Sequence, residues 1–274
     1  MDNPSQTTHP FDLAVTLQPQ NNAYRAELTP AYHNMVGPFG GITAAIVLNS
    51  VLQHPEALGT PVAFTVNYLG PMDQSAAIEL KPELVRANRS NQHWRIDLIQ
   101  EDQILCNATL ILAKGHQAWE NQEVQAPNVT PFEQLPRVVE ESFPPWIKQY
   151  DIRVASGSPF PDTPHNPDKP SETLVWMCDK PARKLDFCSL TALCDAFFPR
   201  LYVRLKKRSP IGTVSLTIHF HVDDKQLQLL DSPLVLGHAR ASAFQRGYFD
   251  QTAEVYSQSG KLLATTSQIV YYKD

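Results

Sequence analysis

VAFTVNY at residues 62–68 is matched by VSLTIHF at residues 214–220, and this pair of segments decides how the chain folds. In both segments apolar side chains alternate with other residues, at the period of two that is typical of a β-strand. The match extends over two long copies, residues 40–114 and residues 185–273, and each copy opens on a helix-like apolar stretch. Two long copies indicate a duplicated domain rather than a solenoid, whose short units recur about every 20–50 residues.

The composition is that of a globular protein, since 42% of the 274 residues are hydrophobic and 19% are charged. A net charge of −5 argues against nucleic-acid binding, which needs a basic face. The 4 cysteines form no CxxC pair and no secreted disulfide framework, so we expect reduced thiols and a cytoplasmic location. The N-terminus lacks the regions of a signal peptide, and no apolar run reaches about 18 residues, so neither export nor a membrane partner is expected.

Helical spacing of apolar residues predicts one helix over residues 40–53 and another over residues 186–206, where Pro199 should kink or divide it. Alternation over residues 11–17 predicts a short strand. Further strands are predicted near residues 62–69, 76–87, 92–100 and 104–113, and near residues 150–156, 173–177, 212–222, 233–246, 247–257 and 261–272. Each copy is therefore an α+β unit in which a curved antiparallel sheet wraps a helix, because the two elements bury each other's apolar faces.

Proline punctuates the chain between the two copies, as at Pro127, Pro136 and Pro144. We therefore predict an N-terminal unit over residues 1–114, a Pro-rich linker over residues 115–148 and a C-terminal unit over residues 149–274.

The order of several motifs resembles the acyl-CoA thioesterase II family, whose fold is the double hotdog: two tandem hotdog units, each a long helix wrapped by an antiparallel sheet. The motifs of the first copy are Phe39-Gly40-Gly41, Asn67-Tyr68-Leu69-Gly70-Pro71 and Arg89-Ser90-Asn91. Those of the second copy are Asp195 followed by Phe198-Pro199, then Gly212-Thr213, then Leu263-Ala264-Thr265-Thr266-Ser267-Gln268. The resemblance covers most of the chain except the linker and the Pro-rich tract at residues 159–170. One departure is Ile269, where family members often carry Glu.

The resemblance implies an acyl-CoA thioesterase in which Asp195, Thr213 and Gln268 hold and activate the hydrolytic water. Such hydrolysis needs a positioned water, a general base and stabilisation of the developing oxyanion, but no cofactor and no metal. The pair Gly40 and Gly41 would let a substrate approach backbone N–H groups at a helix N-terminus, or would serve only tight packing.

Two further features bear on the substrate. Phe197 and Phe198 would line an apolar slot for the acyl chain, or would be ordinary core residues. A basic run ends the second helix and could meet coenzyme A phosphates, although a solvated last turn favoured by the helix dipole is the preferred explanation. This run comprises Arg204, Lys206, Lys207 and Arg208.

Alignment of the two copies gives a comparison that does not depend on the family. Asp195 falls opposite Val47, Thr213 opposite Pro61, and Gln268 opposite Leu110, so only the second copy is polar at these places. The sequence therefore predicts one active site per chain.

Each of the three residues also has a structural explanation. Gln268 lies on an apolar strand face and needs hydrogen-bond partners there, which the backbone alone could supply. Asp195 is predicted in the middle of a helix, where a solvent-facing carboxylate is the simpler interpretation. Thr213 precedes the alternating Val214, Leu216 and Ile218, which places it on the opposite face unless a β-bulge turns it.

Three functions therefore stay open at this point: an acyl-CoA thioesterase, a non-catalytic acyl-CoA-binding or regulatory hotdog protein, and a hotdog enoyl-CoA hydratase. The hydratase would need an Asp and a His held together, and no such pair accompanies the second helix. Sheet edges of hotdog units usually pair, so a homo-oligomer, either a dimer or a tetramer, is expected.

Overall fold

A computed structural model describes residues 8–139, 143–160, 170–206 and 209–273. The first copy contains α1 (Pro10–Ala14), β1 (Gln18–Gln20), β2 (Ala23–Ala26), α2 (Gly40–Leu52), β3 (Thr60–Tyr68), β4 (Ile78–Ala87), β5 (Asn91–Gln100) and β6 (Gln103–Ala113). The second copy contains β7 (Tyr150–Ser156), β8 (Thr173–Asp179), α3 (Phe187–Leu193), α4 (Arg200–Leu205), β9 (Ile211–Phe220), α5 (Asp224–Gln228), β10 (Val235–Arg240), β11 (Phe244–Gln245), β12 (Tyr248–Ser257) and β13 (Leu262–Tyr272).

The described strands form one antiparallel sheet in the order β1-β2-β4-β5-β6-β3-β9-β13-β12-β10-β8-β7, and β11 pairs with β12. The two copies meet where β3 pairs with β9, and Thr65 lies directly opposite Thr217. Their hydroxyl oxygens are 3.0 Å apart. Strands succeed one another in corresponding order on the two sides of this pair, so an approximate twofold relates the copies. The α+β double hotdog arrangement expected from the sequence is confirmed.

Helix α2 lies inside the curved sheet and packs against α3. Its sequence, GGITAAIVLNSVL, is apolar on nearly every side, and ten of its residues are buried. A helix that is apolar all round can be stable only in a core. It begins at Gly40, as predicted, and Phe39 supplies no side-chain cap, so its first N–H groups are available to other partners.

The second helix is divided, and one prediction about it is wrong. Helix α3 ends at Leu193 and α4 begins at Arg200, with Pro199 as its N-cap. Proline lacks an N–H group and disfavours helical geometry in the residue before it, so residues 194–199 leave the helix. Asp195 therefore lies in the turn after α3, not in the middle of a helix.

The strand predicted over residues 11–17 is also wrong, because this segment contains the helix α1. Pro10 stands in its first turn and the His9 side chain accepts from the N–H of Phe11, both of which favour a helix start. Phe11 and Ala14 are buried, a spacing of three that suits a helix better than a strand.

The domain limits at residues 114 and 149 stay a prediction. Between β6 and β7 the described residues contain two short 3₁₀ turns. The second turn carries Trp146, whose ring stacks on Phe39 with centroids 4.0 Å apart. The predicted linker is thus packed against the N-terminus of α2. Most of the Pro-rich tract, residues 161–169, lies outside the described residues.

Candidate active site

Asp195 rests on the N-terminus of α2. A Cβ atom on Gly40 would lie 2.7 Å from Asp195 Oδ2, so only glycine leaves room for the carboxylate there. The next residue, Gly41, is as close to the end of α3, where a Cβ atom would lie 2.6 Å from Ala192 O. The two glycines therefore let the helix of the first copy approach the turn of the second, and the site is built by both copies.

Gln268 is the second polar group at this junction. It lies within β13 on the buried face that alternation predicts, and it is 3% exposed. Its Nε2 is 3.5 Å from Cys194 O, which is long for a hydrogen bond. Its side chain also lies close enough to the Asp195 carboxylate to lower the pKa of that group. The Gln268 amide therefore contacts the turn that carries Asp195 at two adjacent residues.

Burial raises the pKa of Asp195 from 3.8 to about 7. Hydrogen bonds from the Gln268 side chain and the Gly41 backbone N–H lower this pKa, but the lost hydration of the charged form outweighs both. Asp195 as a whole residue keeps partial solvent exposure, and the pKa of its carboxyl group lies close to neutral pH. The ionisable groups that face Asp195 have pKa values raised by burial and are neutral at this pH; they are Tyr68, Tyr150 and Cys194.

Tyr68 also lies at this junction, although it is not among the site residues predicted from the sequence. Its hydroxyl donates to the carbonyl oxygen of Gly40 at 2.8 Å. The bond ties the end of β3 to the first turn of α2, directly beside Asp195. The sequence signal for Tyr68 is its place in the motif that ends β3; its reach to α2 depends on how the strand packs against the helix.

Thr213 faces the interior because β9 contains a β-bulge. Ser215 is opposite Ile269, but Thr213 is opposite Val270, so Val214 is an extra residue in β9. Val214 is 39% exposed, and its predicted place on the apolar face is wrong. Residues directly opposite on antiparallel strands share a face. Thr213 therefore shares the inner face with Val270 and, two residues along β13, with Gln268.

The separation of Thr213 and Gln268 follows from sheet geometry, which places diagonal neighbours about 7–8 Å apart and their Cβ atoms somewhat closer. A water molecule fits between a hydroxyl and an amide at that spacing. The first copy carries the same irregularity at Val62, between Pro61 and Ala63. The bulge is thus a property of both copies, whereas the threonine belongs to the second.

Phe197 and Phe198 follow Asp195 in the same turn, and both are buried. The Phe197 ring fills the space above Gly237, where a Cβ atom would lie 2.4 Å from the ring. The Phe198 ring contacts Phe160, with centroids 5.7 Å apart. The two rings form an apolar wall that adjoins the turn carrying Asp195. Their predicted contact with substrate stays a prediction.

The basic run at the end of α4 is only partly described. Arg204 lies in the last turn of α4, and Lys206 ends the helix with φ of 55°. The Lys206 ammonium donates to the carbonyl oxygen of Ser158, so at least one of its donors is used within the chain. Lys207 and Arg208 lie outside the described residues.

The four cysteines are buried and free. Burial raises the pKa of Cys106 to about 12 and that of Cys178 to about 11, and it raises the pKa values of Cys188 and Cys194 further. Such thiols stay protonated at neutral pH and are poor nucleophiles. Within the described ranges, no three His, Cys, Asp or Glu side chains converge as metal ligands would. In the same ranges no helix is long and apolar enough to span a membrane.

Solved structures show the same double hotdog fold. A conserved protein of unknown function with a hot dog fold from Alicyclobacillus acidocaldarius is 41% identical, with a TM-score of 0.92 over 98% of this chain and 99% of that one. A putative thioesterase II from Thermobifida fusca is 19% identical, with a TM-score of 0.85 over 97% of this chain and 98% of that one. An acyl-CoA thioesterase II from Mycobacterium marinum is 16% identical, with a TM-score of 0.76 over 96% and 98% of the two chains.

Family comparison identifies the chain more closely. Residues 29–113 match the acyl-CoA thioesterase N-terminal domain, and residues 123–272 match the acyl-CoA thioesterase C-terminal domain. The chain therefore belongs to the acyl-CoA thioesterase family, as the order of its motifs predicts. A search of curated proteins gives no match.

Gly40→Ala tests the contact between α2 and Asp195. The new Cβ atom would lie 2.7 Å from Asp195 Oδ2, so the carboxylate must move while the helix stays intact. Displacing a reacting group by about 1 Å costs up to about 100-fold in rate. With the catalytic role proposed below for Asp195, we expect kcat for thioester hydrolysis to fall by that order with little change in the melting temperature. Steady-state kinetics with thermal unfolding measure both, and full activity in the variant would contradict this geometry.

Proposed function

We propose that this protein hydrolyses an acyl-CoA thioester to a free carboxylic acid and coenzyme A, at one centre per chain. Asp195, Thr213 and Gln268 position and activate water in this proposal. The observation that carries it is a carboxyl group held against a helix N-terminus beside a buried glutamine, where burial raises its pKa to about 7. The related position in the first copy is apolar: Leu110 pairs with Phe64 as Gln268 pairs with Leu216.

The reaction needs one proton acceptor and one positioned water. Ionised Asp195 takes a proton from the water as its oxygen attacks the thioester carbonyl carbon. Gln268 and Thr213 hold the water by hydrogen bonds and direct its lone pair. The negative charge that develops on the carbonyl oxygen lies near the N-terminus of α2, whose dipole stabilises it. When the C–S bond breaks, Asp195 returns the proton to the coenzyme A thiolate, whose free pKa is about 8.5.

The substrate is placed by both copies in this proposal. Gly40 and Gly41 bring the N-terminus of α2 against the turn that carries Asp195, where the thioester binds in this proposal, and Phe197 and Phe198 contact the acyl chain. The apolar wall supports an acyl substrate because burial of each methylene group contributes about 0.8 kcal/mol. A cytoplasmic location agrees with free, buried cysteines. Assembly into a dimer or tetramer stays a prediction.

The pH dependence of thiol release tests the proposal. Release is measured on short, medium and long acyl-CoAs between pH 5 and 9. Because Asp195 acts as a base and its pKa is about 7, kcat/KM should rise tenfold per pH unit below that value and level off above it. If no acyl-CoA of any chain length yields free thiol, the proposal is contradicted. Binding without turnover would indicate an acyl-CoA-binding protein, and hydration of crotonyl-CoA would indicate a hydratase.

Asp179→Asn is the matched control for this profile. Asp179 is also buried, which raises its pKa to about 6. Its Oδ2 accepts a hydrogen bond from the Ser189 hydroxyl at 2.7 Å, so it has a structural role. We expect kcat/KM of the variant still to rise with pH up to about pH 7, and this rise is called the acidic limb of the profile. Loss of the limb in this variant would assign the titration to Asp179 instead of Asp195.

A further inference from the structure

Arg200 is a fully buried cation at the start of α4, with 0% of its surface exposed. Among the described residues no carboxylate pairs with it, and its partners are neutral oxygen atoms. Burial lowers its pKa to about 9, which still leaves it charged at neutral pH. The oxygen atoms that accept its N–H groups belong to Gln251 (2.9 Å), Ser171 (2.8 Å), Thr173 (2.7 Å), Ala239 (3.1 Å) and Phe198.

A buried charge without a counterion is expensive for a fold. An apolar side chain would hold α4 against the sheet at lower cost. The contacts of Arg200 indicate a more specific role, since they reach the site from two directions. One leads through the carbonyl oxygen of Phe198 to the turn that carries Asp195, and the other leads through Gln251 to the strand that carries Gln268.

The contact with Arg200 fixes the orientation of the Gln251 amide. Arginine has only hydrogen-bond donors, so the atom that Gln251 presents to it is the oxygen, and Oε1 lies 2.9 Å from Arg200 Nε. The Gln251 NH₂ group therefore points away from the guanidinium. A free glutamine amide would exchange the two ends at little cost, but here the exchange would set two donors against each other.

Gln251 lies directly opposite Gln268. The two residues are register partners between β12 and β13, and each is 3% exposed. Partners of this kind have Cβ atoms about 4.5–5.5 Å apart on one face of the sheet. The oriented NH₂ group of Gln251 therefore lies on the same buried face of the sheet as the Gln268 amide, on the neighbouring strand. A donor at this place favours the orientation in which Gln268 turns its oxygen towards Gln251 and its NH₂ group towards Asp195.

We propose that Arg200 and Gln251 are a positioning pair that sets the orientation of the Gln268 amide and holds the turn carrying Asp195. The proposal rests on the hydrolytic function assigned to Asp195 and Gln268. It explains why a cation is buried without a carboxylate: an acidic partner would occupy the guanidinium and leave no donor fixed towards Gln268. Both members act through Gln268 and need not touch the substrate.

Gln251→Glu separates a positioning role from a structural one. A positioning role predicts a lower kcat with no loss of melting temperature, and a structural role predicts the reverse. The carboxylate pairs with Arg200, so the melting temperature should equal or exceed that of the wild type. The same change removes the donor beside Gln268 and adds a negative charge near Asp195. We expect kcat to fall about 10- to 100-fold with KM within about threefold. The limb of the pH profile should move upward by about half a unit, since a nearby like charge raises a carboxyl pKa.

Gln251→Met is the second variant, with a similar volume and no charge. It leaves Arg200 its other four acceptors, and it should show the same loss of kcat with the limb unmoved. Wild-type kcat in either folded variant, or an unmoved limb in Gln251→Glu, would overturn the positioning role. A wild-type enzyme that releases no thiol from any acyl-CoA would instead refute the hydrolytic function, so the two failures are distinguishable.

Discussion

Asp195→Asn is expected to lower kcat for acyl-CoA hydrolysis by about 10²–10⁴-fold, the usual contribution of a general base. Asparagine has nearly the same shape and keeps one acceptor oxygen for the N–H groups that face Asp195, so the geometry of the turn should persist. What it loses is the ability to take a proton from water. Steady-state thiol release measures the change, and residual activity should no longer rise through pH 7. Unchanged turnover would remove Asp195 from the mechanism.

The same variant should gain stability at high pH. The pKa of Asp195 is raised in the fold from 3.8 to about 7, so its contribution is fully present below pH 3.8 and is lost as the pH rises to about 7. The shift corresponds to at most about 4 kcal/mol, and partial exposure of the side chain reduces this to a few kcal/mol. Urea unfolding should therefore show similar stabilities at pH 4 and a more stable variant at pH 8. A variant less stable at pH 8 would show that the charged carboxylate is well solvated.

Gln268→Leu is expected to lower kcat by about 10²–10³-fold, the effect of removing one positioned hydrogen-bond donor. Stability should stay near that of the wild type. The bond from Gln268 Nε2 to Cys194 O is long, at 3.5 Å, and the first copy packs Leu110 at the related place with 0% exposure. Kinetics combined with urea unfolding test both parts of the prediction.

Gln100→Leu provides the contrast. Gln100 is also buried, and its amide makes three bonds to the Asp73 and Ala76 backbone at 2.7 Å, 2.9 Å and 3.0 Å. Removing it takes these partners from partly buried backbone groups, and each lost bond costs about 0.5–1.5 kcal/mol. This variant should lose stability and keep kcat. If Gln268→Leu instead loses stability and keeps its kcat, Gln268 has only a structural role.

Much of the fold follows from local patterns. Period-two alternation predicts the strands because each has one buried face, and Gly40 marks the start of α2 as expected. Pro199 predicts a break in the second helix, but no local pattern fixes how many residues leave it. That is why Asp195 is predicted within a helix and is found in a turn.

The site is less accessible to sequence reasoning because it depends on contacts between the copies. Gln268 is predicted on the buried face by alternation alone. Thr213 needs a bulge at Val214, and alternation cannot show where a strand gains a residue. Tyr68 and Arg200 form their hydrogen bonds across the packed interior. Tyr68 bonds to Gly40 in α2, and Arg200 bonds to Gln251 in β12. Both contacts depend on tertiary structure rather than on spacing along the chain.

The most direct test of the whole account is coenzyme A release from a panel of acyl-CoAs, with the wild type and Asp195→Asn compared at pH 8. We expect repeated turnover by the wild type on at least one chain length, and a loss of about 10²–10⁴-fold in the variant while it remains folded. No release by the wild type from any acyl-CoA, or equal rates in the two proteins, would contradict it.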